Sequence, residues 1–106
     1  MFETAIRDPF RIDTSNVLGF ILNVPSDCKL GFVVLPFRRR HWIAIRKIDS
    51  FFWNLDSKLN APKLIGDDID LLNYLNTLLK SNDVELLVVV SPEVEKSKKW
   101  LKETSQ

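Results

Sequence analysis

The sequence predicts an α+β fold with a mostly antiparallel sheet and flanking helices, and three patterns support this prediction. Residues 42–48 and 51–56 are rich in aromatic and β-branched side chains, and only Asp49-Ser50, the length of a tight hairpin loop, separates them. Leucines recur at helical spacing within residues 67–80. The apolar run 84–90 then has the length and composition of an interior strand. Strands and helices that alternate in this order favour the α+β class.

Two further strands and an irregular entry are predicted from shorter patterns. Residues 17–24 are almost wholly apolar and end at Pro25-Ser26-Asp27, which indicates a buried strand followed by a turn. Residues 31–35 form a second short strand candidate, which Pro36 should stop. The first sixteen residues mix charges with apolar side chains without a sustained period, so no element is predicted there.

Both predicted helices have suitable ends. Three aspartates within residues 67–70 suit the positive N-terminus of the first helix, and Lys80 suits its C-terminus. Ser91 supplies an N-cap and Pro92 the first-turn proline of a final helix. The apolar face of the first helix is predicted to consist of Leu71, Leu72, Leu75, Leu78 and Leu79.

Length and charge exclude several classes of function. A chain of 106 residues with 45% hydrophobic content suits one domain, or part of one. Fifteen Lys and Arg balance fourteen Asp and Glu, and a net charge of +1 gives no long-range attraction to nucleic acid. No apolar run approaches the roughly 20 residues of a membrane helix. Nucleic acid and a membrane span are therefore not predicted.

The N-terminus and the cysteine content favour a cytoplasmic protein. No basic segment followed by an apolar stretch marks a secretory signal. A single cysteine cannot form an internal disulfide, which agrees with a reducing compartment. No cofactor or metal site is predicted, and no feature predicts an oligomeric state.

His41, the only histidine, and Asp56 form the candidate catalytic pair. A two-residue loop places Ile48 opposite Phe51, so that paired residue numbers sum to 99. His41, Asn54 and Asp56 then share one face of the hairpin. Asp56 is the diagonal neighbour of His41 at about 7–8 Å between backbones, within side-chain reach. Asn54 lies one step further away and is the weaker candidate for orienting the imidazole.

The chemistry of this pair has two interpretations. A histidine takes and returns a proton near neutral pH, and a carboxylate beside it can fix its tautomer and orientation. Alternatively, His41 is a strand-end residue near solvent and Asp56 a turn residue that binds local amides. From the residues alone both remain open.

Several segments together resemble the C-terminal half of the Josephin domain, and the resemblance extends over residues 17–101. It is closest to the small Josephin-only proteins and more distant from ataxin-3. The family comprises papain-like cysteine deubiquitinases. The segments that carry the resemblance are residues 19–26, His41-Trp42 with Arg46, the run Asn54-Leu55-Asp56-Ser57-Lys58-Leu59 with Pro62, and residues 85–90.

The resemblance implies that residues 1–106 form a partial Josephin domain, the sheet half of a papain-like fold. His41 corresponds to the catalytic histidine and Asp56 to the third triad member, which is an asparagine in ataxin-3-like members. The family's nucleophilic cysteine and oxyanion glutamine lie in an N-terminal helical portion that has no counterpart here. Cys28 is expected to be an inert loop thiol, because it stands only thirteen residues before His41 and begins no helix.

The resemblance implies thiol-dependent hydrolysis of ubiquitin isopeptide or peptide bonds, with this chain supplying the histidine and aspartate but not the cysteine. The expected partners are ubiquitin and ubiquitinated proteins, and the chain alone is expected to be inactive. The alternative is a non-catalytic ubiquitin-binding or regulatory module, either a pseudoenzyme or a truncated product. Arg38, Arg39 and Arg40 form either a solvated loop or a surface for an acidic partner, and Trp42 and Trp53 are expected in the core.

Overall fold

The computed structural model describes residues 2–4, 8–30, 33–81 and 83–102 of the chain. Two short 3-10 turns, Pro9–Arg11 and Thr14–Asn16, precede the second strand. The strands are β1 (Phe2–Thr4), β2 (Gly19–Leu30), β3 (Val33–Ile48), β4 (Phe51–Asn54), β5 (Lys63–Gly66) and β6 (Glu85–Val89), and the helices are α1 (Asp68–Leu78) and α2 (Pro92–Ser97).

The six strands form one sheet in the order β1-β6-β2-β3-β4-β5. Every pairing between neighbouring strands is antiparallel. The predicted α+β class with an antiparallel sheet is therefore confirmed, and β6 lies in the sheet interior as expected. No helix within the described ranges is long and apolar enough to cross a membrane.

The β3–β4 hairpin has the register that the sequence predicts. Ile48 lies opposite Phe51, and Ile45 lies opposite Asn54. Asp49 and Ser50 both have positive φ, at 51° and 71°, as a type I′ turn requires of its two central residues. The strand ladder ends at Asn54, two residues earlier than predicted.

The strands predicted over residues 17–24 and 31–35 were expected to end at Pro25 and Pro36. Both expectations are wrong, because the observed strands continue through these prolines. β2 passes through Pro25 and β3 through Pro36. The pairing of β2 with β6 stops at Asn23, and the described residues of β2 beyond that point pair with β3 alone, as a two-stranded arm. A residue without an N–H is tolerated there because each strand has a free edge.

Two edge strands were not predicted. β1 has three residues and β5 has four, and both are too short to show a period of two. β1 pairs with β6 and β5 with β4, so each becomes a strand through a neighbour rather than through its own composition.

Both helices begin as predicted. Asp67 and Asp70 form a reciprocal capping box at the start of α1. Gly66, at φ 134°, precedes it in a conformation that side chains rarely adopt, and the Asp70 carboxylate fills the space where a Cβ would lie. The Ser91 hydroxyl accepts the Val94 N–H, and Pro92 follows it in the first turn of α2.

The core lies between α1 and one face of the sheet. The Phe20 and Phe52 rings meet there with centroids 6.1 Å apart. Of the predicted helix face, Leu78 is only half-buried. The other four leucines are buried, as are the main strand residues of the core: Leu71, Leu72, Leu75, Leu79, Phe20, Leu22, Ile45, Phe52, Leu86 and Val88.

The expectation that Trp42 belongs to the core is wrong. Trp42 lies between His41 and Ile43 on β3 and faces away from the helices, so its side chain is 54% exposed. Trp53 is half-buried. The outer face of the sheet therefore carries aromatic side chains that no described helix covers.

Phe52→Ala should lower the free energy of unfolding by about 3–5 kcal/mol, because it removes a fully buried ring and leaves a cavity beside Phe20. Phe51→Ala is the matched control, since Phe51 is 48% exposed on the same strand. It should cost about 0.5 kcal/mol. Urea unfolding followed by circular dichroism measures both. Equal losses would contradict the assignment of the core to one face.

Candidate functional site

His41 lies at the end of the sheet, where the two-stranded arm begins. It is opposite Val24 on β2, one residue beyond the last β2 residue that pairs with β6. Because side chains alternate along a strand, His41 points to the same side of β3 as Ile43 and Ile45, which pack in or against the core. The imidazole therefore stands on the helix-bearing face, where the core gives way to solvent.

The structure brings His41 and Asp56 into direct contact. The His41 Nε2 atom is 2.6 Å from the Asp56 Oδ1 atom. The two side chains are only 18% and 14% exposed. The two residues that the sequence singled out thus form a short, largely shielded hydrogen bond.

Asp56 reaches His41 from a loop rather than from a strand. The Leu55 N–H still donates to the Ala44 carbonyl at 2.8 Å, as the hairpin register requires. The Asn54 Oδ1 atom then accepts the Asp56 N–H at 2.8 Å, which turns the chain out of the ladder. Side-chain capture of the backbone explains why β4 ends at Asn54 while Asp56 still reaches the imidazole.

Asp56 also organises the residues that follow it. Its Oδ1 atom accepts the Lys58 N–H at 2.9 Å, and its carbonyl accepts the Leu59 N–H at 3.0 Å. Asp56 therefore both binds local amides and contacts His41, so the two interpretations of this residue are compatible. The hydrogen bond from the Lys58 N–H therefore helps to hold the Asp56 carboxylate in the orientation that faces His41.

Hydrogen bonding lowers the pKa of Asp56 below its ordinary value. The Lys58 backbone N–H is the largest cause, and the hydrogen bond to His41 is the second. Desolvation opposes them, and the charges of His41 and Lys58 add smaller favourable effects. Asp56 is thus a carboxylate at neutral pH and can only accept hydrogen bonds.

The contact determines which imidazole nitrogen is free to act as a base. Since Nε2 faces a carboxylate, a neutral His41 carries its proton on Nε2, and Nδ1 holds the lone pair. A thiol, hydroxyl or water placed at Nδ1 would lose its proton to His41, and Asp56 would stabilise the imidazolium that forms. The pair is chemically suited to general base and general acid work.

Cys28 lies in a strand, so its expected loop position is wrong. It occupies the irregularity between Asp27 and Lys29 in the β2–β3 pairing. Cys28 lies four positions beyond Val24, the residue opposite His41, which corresponds to about 13 Å along the strand. Its side chain is outside the described part of the structure.

Asn54 and Tyr74 add to the site. The Asn54 side chain hydrogen-bonds to Asp56 and not to His41, and its Nδ2 atom lies 3.5 Å from the Tyr74 hydroxyl oxygen. Burial, and secondarily the charge of Asp56, raises the pKa of Tyr74, while the Asn54 hydrogen bond lowers it. Tyr74 was not predicted as a site residue, although its position three residues after Leu71 places it on the inner side of the helix.

The triple arginine lies within β3, so the expectation of a loop is wrong. The Arg40 guanidinium donates to the buried Asn23, through Nε to the side-chain oxygen and through a terminal nitrogen to the carbonyl at 3.3 Å. Arg40 therefore supplies donors to two oxygen atoms of Asn23. The side chains of Arg38 and Arg39 fall outside the described residues. Among the residues described, no cluster of three or more His, Cys, Asp or Glu could hold a metal ion.

Comparison with known proteins gives one consistent family. The family model described as Josephin matches residues 2–90. Human Josephin-2 is 48% identical over 86 residues, covering 81% of this chain and 46% of that protein. A Drosophila melanogaster Josephin-like protein is 41% identical over 100 residues, covering 90% and 45%. An Arabidopsis thaliana Josephin-like protein is 35% identical over 75 residues, covering 71% and 20%. The chain spans about half the length of the human and fly relatives.

Asp56 should stabilise the fold in a pH-dependent way. Because its pKa in the folded state is lowered, its contribution is fully present above the unfolded pKa and is lost as the pH falls through the folded pKa. The stability difference between the wild-type chain and Asp56→Asn should therefore be constant near pH 5 and shrink below about pH 4.

Urea unfolding between pH 5 and pH 2 measures this difference. Asp49→Asn, which removes an exposed carboxylate from the same hairpin, controls for the general effect of one lost negative charge. A difference that grows as the pH falls would refute the proposed role of the carboxylate hydrogen bonds.

Proposed function

Because the chain belongs to the Josephin family, a family of cysteine-type deubiquitinases, we propose that it supplies the acid–base half of a ubiquitin hydrolase. In this proposal His41 and Asp56 serve thiol-dependent hydrolysis of isopeptide or peptide bonds formed by ubiquitin. The observation that supports it is the 2.6 Å contact between His41 Nε2 and Asp56 Oδ1. This contact leaves Nδ1 available to a nucleophile.

The first chemical step is activation of a cysteine. The thiol gives its proton to His41 Nδ1, and the thiolate attacks the carbonyl carbon at the C-terminus of ubiquitin. Asp56 stabilises the imidazolium ion. As the tetrahedral intermediate collapses, His41 returns the proton to the departing lysine amine, and a thioester remains.

The second step releases ubiquitin. Water gives a proton to His41 Nδ1 and attacks the thioester carbonyl, and the thiolate leaves. The cysteine and the oxyanion donors come from the part of the family fold that this chain does not span. General acid–base groups of this kind contribute about 10²–10⁴-fold to the rate.

A second candidate is a ubiquitin-binding module without catalysis. One observation favours it: four large apolar side chains are exposed on the face of the sheet opposite the core. Such patches are typical of protein interaction surfaces. The four exposed side chains are those of Trp42, Ile48, Phe51 and Leu64.

We expect no turnover of a fluorogenic ubiquitin substrate by the 106-residue chain alone, and hydrolysis by a fusion in which the N-terminal half of human Josephin-2 precedes residue 1. In the fusion, His41→Ala should lower kcat by about 10²–10⁴-fold. Asp56→Ala should also lower kcat, and Asp56→Asn less, because an amide still offers an acceptor oxygen to Nε2. The fusion with its donor cysteine changed to alanine is the control.

Two results would contradict this proposal. One is hydrolysis by the chain alone, or labelling of Cys28 by a ubiquitin carrying a C-terminal electrophile. The other is a well-folded fusion whose activity does not change when His41 is replaced.

Binding separates the two candidate functions. Binding is measured by titrating ¹⁵N-labelled ubiquitin with the chain. If the exposed face is the interaction surface, Trp42→Ala should weaken binding. Leu18→Ala, at another exposed apolar position, is the control. Binding that is insensitive to His41→Ala, together with an inactive fusion, would favour the module over the hydrolase. An active fusion that depends on His41 would favour the hydrolase, because a module without catalytic function need not retain a working acid–base pair.

A further inference from the structure

The two ends of the Asn54 side chain have separate partners. Its Oδ1 atom accepts the Asp56 N–H at 2.8 Å, which fixes the orientation of the amide because a backbone N–H can bond only to the oxygen. The Nδ2 atom is consequently directed at the Tyr74 hydroxyl, 3.5 Å away. Asn54 thus joins the loop that carries Asp56 to helix α1.

Asn54 and Tyr74 both line a cavity of about 500 Å³ beside β5 and α1. The aliphatic wall of this cavity includes Ile65 and Leu78. The hydroxyl of the half-buried Tyr74 is thus held at the boundary between the core and the site. Tyr74 is also near enough to Asp56 for the carboxylate charge to act on it.

We propose that Asn54 and Tyr74 are positioning residues that hold the Asp56 carboxylate in line with His41 Nε2. The inference rests on the proposed function of the His41–Asp56 pair. Neither residue touches the reacting atoms; Asn54 fixes the backbone of Asp56, and Tyr74 fixes the Asn54 amide. A misplacement of about 1 Å in such a pair can cost about 100-fold in rate.

An amide meets both requirements better than a carboxylate would. An aspartate at position 54 could still accept the Asp56 N–H, but it would lose the donor directed at Tyr74 and place a second negative charge beside Asp56. Asn54→Ala removes both functions. The comparison of these two variants separates the role of the acceptor oxygen from that of the whole amide.

The test on the chain itself uses the fact that His41 is the only histidine, so that its ring signals need no assignment. ¹⁵N-edited NMR should show a downfield Nε2–H proton protected from exchange with water. Asp56→Ala should abolish this signal. Asn54→Ala should speed its exchange about tenfold or more, and Asn54→Asp should restore part of the protection.

Asn73→Ala is the matched control, because it removes an exposed amide from the same cavity. It should leave the ring proton unchanged. Backbone amide spectra report whether each variant is folded. If folded Asn54→Ala keeps the wild-type exchange rate of the ring proton, the proposed positioning role is wrong.

The fusion with the N-terminal half of human Josephin-2 provides a second readout. Asn54→Ala should lower kcat by about 10–100-fold with little change in KM, because it disturbs the base and not substrate binding. Tyr74→Phe should lower kcat about two- to tenfold. An inactive wild-type fusion would count against the proposed hydrolase function, whereas the ring proton of the chain would still decide the role of Asn54.

Discussion

The two-residue turn between β3 and β4 is the constraint on which the candidate site depends. Side chains alternate along a strand, so a slip of one residue would move His41 to the outer face and Trp42 to the inner face. Asp49 and Ser50 hold the tight turn with positive φ angles, and Ile48 then pairs with Phe51. The same register places Ile45 and Phe52 in the core. Core packing and site geometry therefore specify one register.

Local patterns were sufficient to predict the elements whose partners are near in sequence. The hairpin, the start of α1 and the final helix follow from turn length, leucine spacing, acidic residues at the helix N-terminus and the Ser91-Pro92 cap. β1 and β5 could not be predicted, because a strand of three or four residues is defined by its neighbour. The arm could not be predicted either, since Pro25 and Pro36 end strands only where both edges are paired.

The site was partly predictable because His41 and Asp56 belong to one hairpin and are near in sequence. Strand parity alone put His41 and Asp56 on one face, and the two side chains do meet. Parity could not show that the ladder ends at Asn54, because that depends on an amide oxygen capturing a backbone N–H. Nor could it place Tyr74, which reaches Asn54 from α1 across the tertiary fold. Sequence patterns predicted which two residues meet, whereas side-chain hydrogen bonds determine how the chain brings Asp56 to His41.

The hydrogen bonds that orient Asp56 are local, and this locality explains how the His41–Asp56 pair keeps its geometry within this chain. The partners of the Asp56 carboxylate and N–H are Lys58, His41 and Asn54, all within the hairpin and the loop that follows it. Among the described residues, Tyr74 of α1 adds a contact from a distant element, and it reaches Asn54 rather than Asp56. Contacts within this chain therefore suffice to orient the His41–Asp56 pair. In the proposed hydrolase, the other half would have to bring a thiol to Nδ1 and supply the oxyanion donors, but it would not have to align His41 with Asp56.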